Sequence, residues 1–337
     1  MAAKGGGNNM ITERQKQVLT KIVEEYIKTA EPVGSKNICK KINCSSATIR
    51  NDMASLEHMG YIEKTHISSG RIPSELGYRY YVDNLMEPSK MTGEDMLKLQ
   101  TIFHNNSLEI SDVIKKSIEV ISEMTNYTSI VLGSSAKENK LKKIEVIPIE
   151  EEKIIALIVT DKGHVEHKNI SIQNISITEV KKTVEVMNDL LMGTPLNEIN
   201  TKLEFEIKPI IGKYVKQHEL LYKAFYNAFS EFSKKHDTHF AGKTNFLGLP
   251  EFNTIEKVKN IISKFEDEEL INSIEATQNG INIYIGRENK VDEDLAVITT
   301  KYIIDGKEET IAIIGPKRME YNRVVTLLEY IKNNIGR

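Results

Sequence analysis

The first sixty residues hold three helix-length stretches, each bounded by a cap or a break, and they leave little freedom in how the chain begins. Thr12 stands three residues before Gln15, the spacing of a capping box. Val18, Leu19, Ile22, Val23, Tyr26 and Ile27 come next at helical spacing. Glu31-Pro32-Val33-Gly34 ends that helix, because proline cannot continue it and glycine breaks it. Ser35 can cap a short second helix, KNICKKI, and Asn43-Cys44 supplies the turn. Ser45 or Ser46 opens a third helix with Ile49, Met53 and Leu56 on one face and Met59 at its edge. Gly60 is the expected left-handed stop. Two helices joined by a tight turn, the second with a narrow apolar stripe, predict a helix-turn-helix.

Residues 61–73 predict a wing. Tyr61-Ile62-Glu63-Lys64 alternates as a strand does, and THISSGRIP supplies a Ser-Ser-Gly turn with Lys64 and Arg71 on its two arms. PSELGYRYYVDNLM then reads as a helix with Tyr78, Tyr81, Val82 and Leu85 on one stripe, and EPSKMTGED as a linker. The tyrosines at 78, 80 and 81 could serve as base-stacking platforms, but their helical spacing with Val82 and Leu85 favours core packing.

With Ile49, Met53 and Leu56 turned inward, Ala47, Arg50, Asn51 and Ala54 fall on or near the outer face of the third helix. In a helix-turn-helix the N-terminal residues of the recognition helix meet base edges in the major groove. Arginine can bond guanine bidentately, asparagine adenine, and a small alanine can touch a thymine methyl. Ser45, Ser46 and Thr48 would reach phosphates, aided by the helix dipole. Lys64, His66, Ser68, Ser69, Gly70 and Arg71 combine cations with small residues, as a loop approaching a phosphate backbone or minor groove would. The bland alternatives are a protein-contacting winged helix with a solvated third helix, and an ordinary hairpin turn.

Charge points the same way. Through Met86 there are 12 Lys/Arg against 9 Asp/Glu, while the remainder carries 33 against 39. From Ser35 to Arg79 seven cations face four anions. A basic module on an acidic body suits a polyanionic partner. With 40% hydrophobic residues the chain can build packed cores, and no run approaches the roughly 20 apolar residues of a membrane span. Residues 1–9, MAAKGGGNN, lack the apolar core of a secretory signal and read as a disordered leader or expression remnant. Two cysteines, Cys39 and Cys44, are too few for a disulfide framework and favour a reducing cytoplasm.

Beyond the linker, two helices precede TSIVLG, KIEVIPI and KIIALIVTDKGHVEHKNISI, the last a hairpin turning at Asp161-Lys162-Gly163. A helix at about 177–192 comes after them, and INIYIG, LAVITTKYI and ETIAIIG precede a C-terminal helix. Strands at both ends of this region predict one α+β domain, residues 89–200 and 275–337, its sheet completed by returning chain. Residues 201–274, with the helix LLYKAFYNAFSEFSKK and the stretch HFAGKTNFLGLPEF, read as an insertion.

Enzymatic motifs are not compelling. AGKT at 241–244 would need a glycine at position 237, which is Asp. His236 with His239, and His164 with His167, each want the third ligand that zinc requires. No nucleophile–base set stands out, and no metal or cofactor is expected.

TERQKQVLTKIVEEYIKTAEPVGS, SSATIRNDMASLEHMGYIEKTHISSGRIPSELGYRYYVDNLM and the terminal IIGPKRMEYNRVVTLLEYI resemble the bacterial heat-inducible transcription repressor family HrcA. The resemblance spans the chain apart from its first nine residues and is looser over about 200–275. It implies an α+β multidomain protein: a winged helix (10–88), a GAF-like domain (89–200 and 275–337) and an inserted dimerisation domain (201–274). It further implies a negative regulator of chaperone genes, binding an inverted-repeat operator in double-stranded DNA as a homodimer. It also implies dependence on the chaperonin GroEL, relief of repression by heat, and no enzymatic activity. Leu220, Leu221, Phe225 and Phe229 repeat at helical spacing, and Phe240, Phe246, Leu247 and Leu249 are apolar for a connecting stretch, so these eight are the dimerisation candidates. Packing of the insert's own core is the alternative. Two other functions stay open: a metabolite-sensing regulator gated through the GAF-like domain, and a protein-interaction module with no DNA role.

Overall fold

A computed structural model of the chain describes residues 11–65, 70–105, 107–135, 139–172, 175–212, 218–234, 236–274, 276, 280–304 and 306–335. Its N-terminal part obeys the caps. Helix α1 (Glu13–Thr29) opens with the Thr12/Gln15 capping box and stops at Ala30, which is left-handed. Helix α2 (Ser35–Ile42) is capped by Gly34 rather than Ser35, and Asn43 turns the chain with φ +54°. Helix α3 (Ser46–His58) is capped by Ser45, whose hydroxyl accepts the Thr48 N–H at 3.1 Å. Strands β1 (Ile62–Lys64) and β2 (Arg71–Pro73) pair antiparallel, Lys64 opposite Arg71. Helix α4 (Glu75–Asn84) buries Tyr78 and Tyr81, while Tyr80 stacks edge-on against Tyr61. The tyrosines therefore pack, as their spacing predicts.

Next come α5 (Gly93–Phe103), α6 (Ile110–Thr125) and β3 (Thr128–Ser135). The chain continues through β4 (Leu141–Glu150), β5 (Lys153–Thr160), β6 (Val165–Ser171), α7 (Ile177–Leu191), α8 (Leu196–Lys202), α9 (Lys208–Ile211) and α10 (His218–Lys234). It finishes with β7 (His236–Ala241), α11 (Ile255–Glu266), α12 (Glu268–Asn272), β8 (Ile281–Ile285), β9 (Leu295–Ile304), β10 (Lys307–Pro316) and α13 (Tyr321–Ile335).

Two compact units result, and their border is not the expected one. The inserted unit is Gly133–Asp237, not 201–274. Strands β4, β5 and β6 form a three-stranded antiparallel sheet of their own, whereas the larger unit holds a five-stranded sheet in the order β7-β3-β10-β9-β8. The reason is pairing. Alternation of apolar residues marks a strand but does not say which sheet it joins, and β7, inside the apolar stretch 236–252, returns beside β3.

Within the larger unit one apolar cluster runs from Val18, Leu19, Ile38, Ile49 and Leu56 of the winged helix to Val131, Ile298, Ile311 and Ile313 on one sheet face. On the other face Ile130, Val297, Ala312 and Ile314 pack beneath Phe246, Phe252, Ile261 and Phe265. In the inserted unit Ile144, Ile154, Ala156, Ile158 and Ile170 pack with Val180, Val184, Met187, Leu221, Phe225 and Phe229.

That packing corrects the dimerisation candidates. Leu221, Phe225 and Phe229 are fully buried in the inserted unit's own core, and Phe246 lies buried in the other unit, with Phe240 and Leu249 half-buried against the same cluster. Only Leu220 and Leu247 of the eight are exposed. An amphipathic stripe states that a face is covered, and here the chain's own sheets cover it.

Candidate nucleic-acid interface

The N-terminal end of α3 is assembled from two helices. Ser45 caps it, and its hydroxyl lies 2.9 Å from Thr48 Oγ1. Ser46 Oγ lies 3.2 Å from Ser35 Oγ, bringing the start of α2 alongside. Ser45, Ala47, Arg50 and Asn51 are exposed, whereas Ser46 and Thr48 are half-buried. The predicted outer face is thus the observed one, because Ile49, Met53 and Leu56 take the core.

Of the seven cations between Ser35 and Arg79, three are engaged. Lys41 pairs with Glu25, Arg71 with Glu57, and Arg79 with Glu288 and Asp83. Lys36, Lys40, Arg50 and Lys64 are exposed and make no ion pair among the described residues. These four cations remain available to a polyanion, and the N-terminal dipole of α3 adds a positive end.

The wing carries a second correction. Arg71 is not presented to an incoming phosphate: its side chain is 17% exposed, with Nη2 2.7 Å and Nε 2.9 Å from Glu57 Oε2. Its backbone exchanges both hydrogen bonds with Val33. Gly70 is buried, and a Cβ there would stand 2.7 Å from the Pro32 backbone, so glycine serves close packing of the wing base. Lys64 remains exposed on the opposite arm. The candidates His66, Ser68 and Ser69 lie outside the described residues.

Sequence reading missed the contacts that hold α3. Arg14 of α1 grips Asp52 through two bonds, Nε to Oδ2 at 2.6 Å and Nη2 to Oδ1 at 3.1 Å. Gln15, besides closing the capping box, donates to Ser55 Oγ at 3.1 Å. A separation of 38 residues leaves no local signal for such a pair. The winged helix is in turn tied to the body. Arg79 bonds Glu288 and donates to the Ile283 carbonyl at 2.5 Å, Arg318 bonds Glu251 and the Ile27 carbonyl, and Lys317 lies 3.4 Å from Glu75. Burial pushes the Tyr81 hydroxyl up to about 12, so this part of the core stays uncharged.

A capped third helix with Arg50 and Asn51 exposed near its N-terminal end, followed by a two-stranded wing, defines a winged helix-turn-helix regulator. Comparison with known proteins then fixes its family. Residues 10–80 match the family described as winged helix-turn-helix transcription repressor, HrcA DNA-binding, and residues 111–325 match the HrcA protein C terminal domain. The chain is 39% identical over 334 residues to the heat-inducible transcription repressor HrcA of Bacillus pumilus (strain SAFR-032), covering 97% of each. A solved structure described as a hypothetical protein at 2.2 Å resolution superposes with a TM-score of 0.61 and 26% identity, covering 97% of this chain and 98% of that one. The chain belongs to the HrcA family.

Proposed function

We propose that this chain is a DNA-binding repressor of heat-shock chaperone genes that occupies an inverted-repeat operator as a homodimer. The carrying observation is the exposed set at the head of α3, which makes no ion pair among the described residues: Arg50 and Asn51 beyond the Ser45 cap, with Lys36, Lys40 and Lys64 also exposed. Arg50 and Asn51 read base edges, Ala47 packs on a methyl, and Ser45, Ser46 and Thr48 with Lys64 hold phosphates. Repression follows from occlusion of the promoter. Family membership supports a regulator rather than an enzyme. Among the described residues no helix is long and apolar enough to cross a membrane, in keeping with a cytoplasmic site of action.

An inverted repeat asks for a two-fold protein. The inserted unit offers a surface for it that differs from the eight expected residues. On the open face of its sheet Ile147 pairs with Ile155, while Leu157 and Val159 stand opposite Glu145 and Lys143 and continue to His167 and Val165. Ile147 is 46% and Val165 59% exposed, and with half-buried Ile155, Leu157 and Val159 they form an apolar strip edged by the Lys143–Glu145 pair, which a second copy would cover. The five-stranded sheet, covered on both faces, supports a GAF-like body. Dependence on GroEL and relief by heat rest on the family resemblance.

Footprinting on the chain's own chaperone promoter tests the reading. Protection of an inverted repeat, weakened steeply by salt, is expected. Absence of salt-dependent binding to any duplex would overturn it.

A further inference from the structure

We propose that Arg14 and Asp52 form a positioning pair that sets the angle of α3 and thereby its base selectivity, an inference that rests on the DNA-binding reading above. Asp52 directly follows Arg50 and Asn51, yet its side chain is only 6% exposed and points into the interface with α1. A carboxylate so near a phosphate-facing surface is tolerable because Arg14 neutralises it with a two-pronged bond.

The geometry restrains rotation. The core holds α3 along the narrow stripe Ile49, Met53 and Leu56, which alone allows the helix to roll. Asp52 and Ser55, three residues apart on another side, are held by the consecutive residues Arg14 and Gln15 in the first turn of α1. That turn is itself fixed, since Gln15 Oε1 accepts the Thr12 N–H at 3.0 Å while its Nε2 holds Ser55. Bidentate base contacts need placement to within about 0.5 Å. A rigid guanidinium fork supplies such placement, and a lysine of equal charge does not.

The consequence is selective. Loss of the fork leaves Arg50, Asn51 and every phosphate-contacting cation in place, so non-specific binding persists while discrimination falls. The test uses the full chain and a duplex selected by the unaltered protein from a random library. R14K is expected to bind the selected duplex about tenfold more weakly, the scale of one misplaced base contact, with its random-duplex affinity within about twofold. D52N should behave alike, and R14A/D52N should bind no more weakly than R14A, since the two act as a unit. Active fractions are fixed by stoichiometric titration, so that partial unfolding does not mimic lost affinity. Equal losses on both duplexes, an R14K that matches the unaltered protein, or additive effects in the double variant would each overturn the proposal. If the unaltered protein selected no sequence at all, the DNA-binding reading would fall first and this one with it, a failure seen before any variant is made.

Discussion

Phe225→Ala separates a core role from an interface role for the most apolar helix of the inserted unit. Phe225 is 0% exposed and packs among Leu221, Phe229 and the buried residues of β4, β5 and β6. Truncation removes the transfer energy of a phenyl ring and leaves a cavity, together about 3–5 kcal/mol. A domain is usually stable by only about 5–15 kcal/mol, so the unit would become marginal. For a unit of about a hundred residues each kcal/mol shifts the midpoint by roughly 4 °C or more, giving a fall of about 12–20 °C. Scanning calorimetry of the full chain should show one transition moving down by that amount. Leu220→Ala, at 56% exposure on the same helix, should stay within about 0.5 kcal/mol of the unaltered chain. A Phe225→Ala protein with an unchanged melting profile but a monomeric sedimentation coefficient would refute the reasoning, because Phe225 would then face a partner rather than a core.

Arg50→Ala and Asn51→Ala should each cost about 1–3 kcal/mol on the selected operator and much less on random duplex, measured by fluorescence anisotropy. Lys64→Ala should flatten the dependence of log affinity on log salt by about one unit. Arg71→Ala, whose charge is already matched by Glu57, should lower thermal stability without that change in slope. Leu157→Asp, on the half-buried open face of the small sheet, should leave the melting midpoint nearly unchanged and give a monomer by analytical ultracentrifugation. A double-mutant cycle on Arg79 and Glu288, whose side chains are 26% and 43% exposed, should return a coupling no larger than about 1 kcal/mol because solvent screens the pair.

Local chemistry made the winged helix legible. Thr12 with Gln15, the proline and glycine near position 32, Ser45 and Gly60 act on backbone groups within a few residues, so their effect is written in the neighbouring sequence. The same holds for the outward face of α3, since once Ile49, Met53 and Leu56 take the core, helix geometry alone turns Arg50 and Asn51 to solvent. The strands were legible as strands too, except β7, which lies at the start of a stretch read only as part of the insertion. The wing and the β5–β6 hairpin at Asp161-Lys162-Gly163 were legible as pairs, because a short turn leaves two strands no other neighbour, but the longer-range partners stayed open until the chain folded. The apolar, β-branched runs of β4 and β5 mark strands without naming the sheet they join, and the returning β7, which takes the free edge of β3, keeps the two sheets apart. The stripe Leu221, Phe225 and Phe229 declares burial, but a hydrophobic face is non-directional and is satisfied equally by its own sheet or by a second copy. Charge is ambiguous for a like reason. Arg71 and Arg14 look alike in composition to Lys64, and only through-space proximity to Glu57 and Asp52 withdraws one from solvent and makes the other a brace for α3.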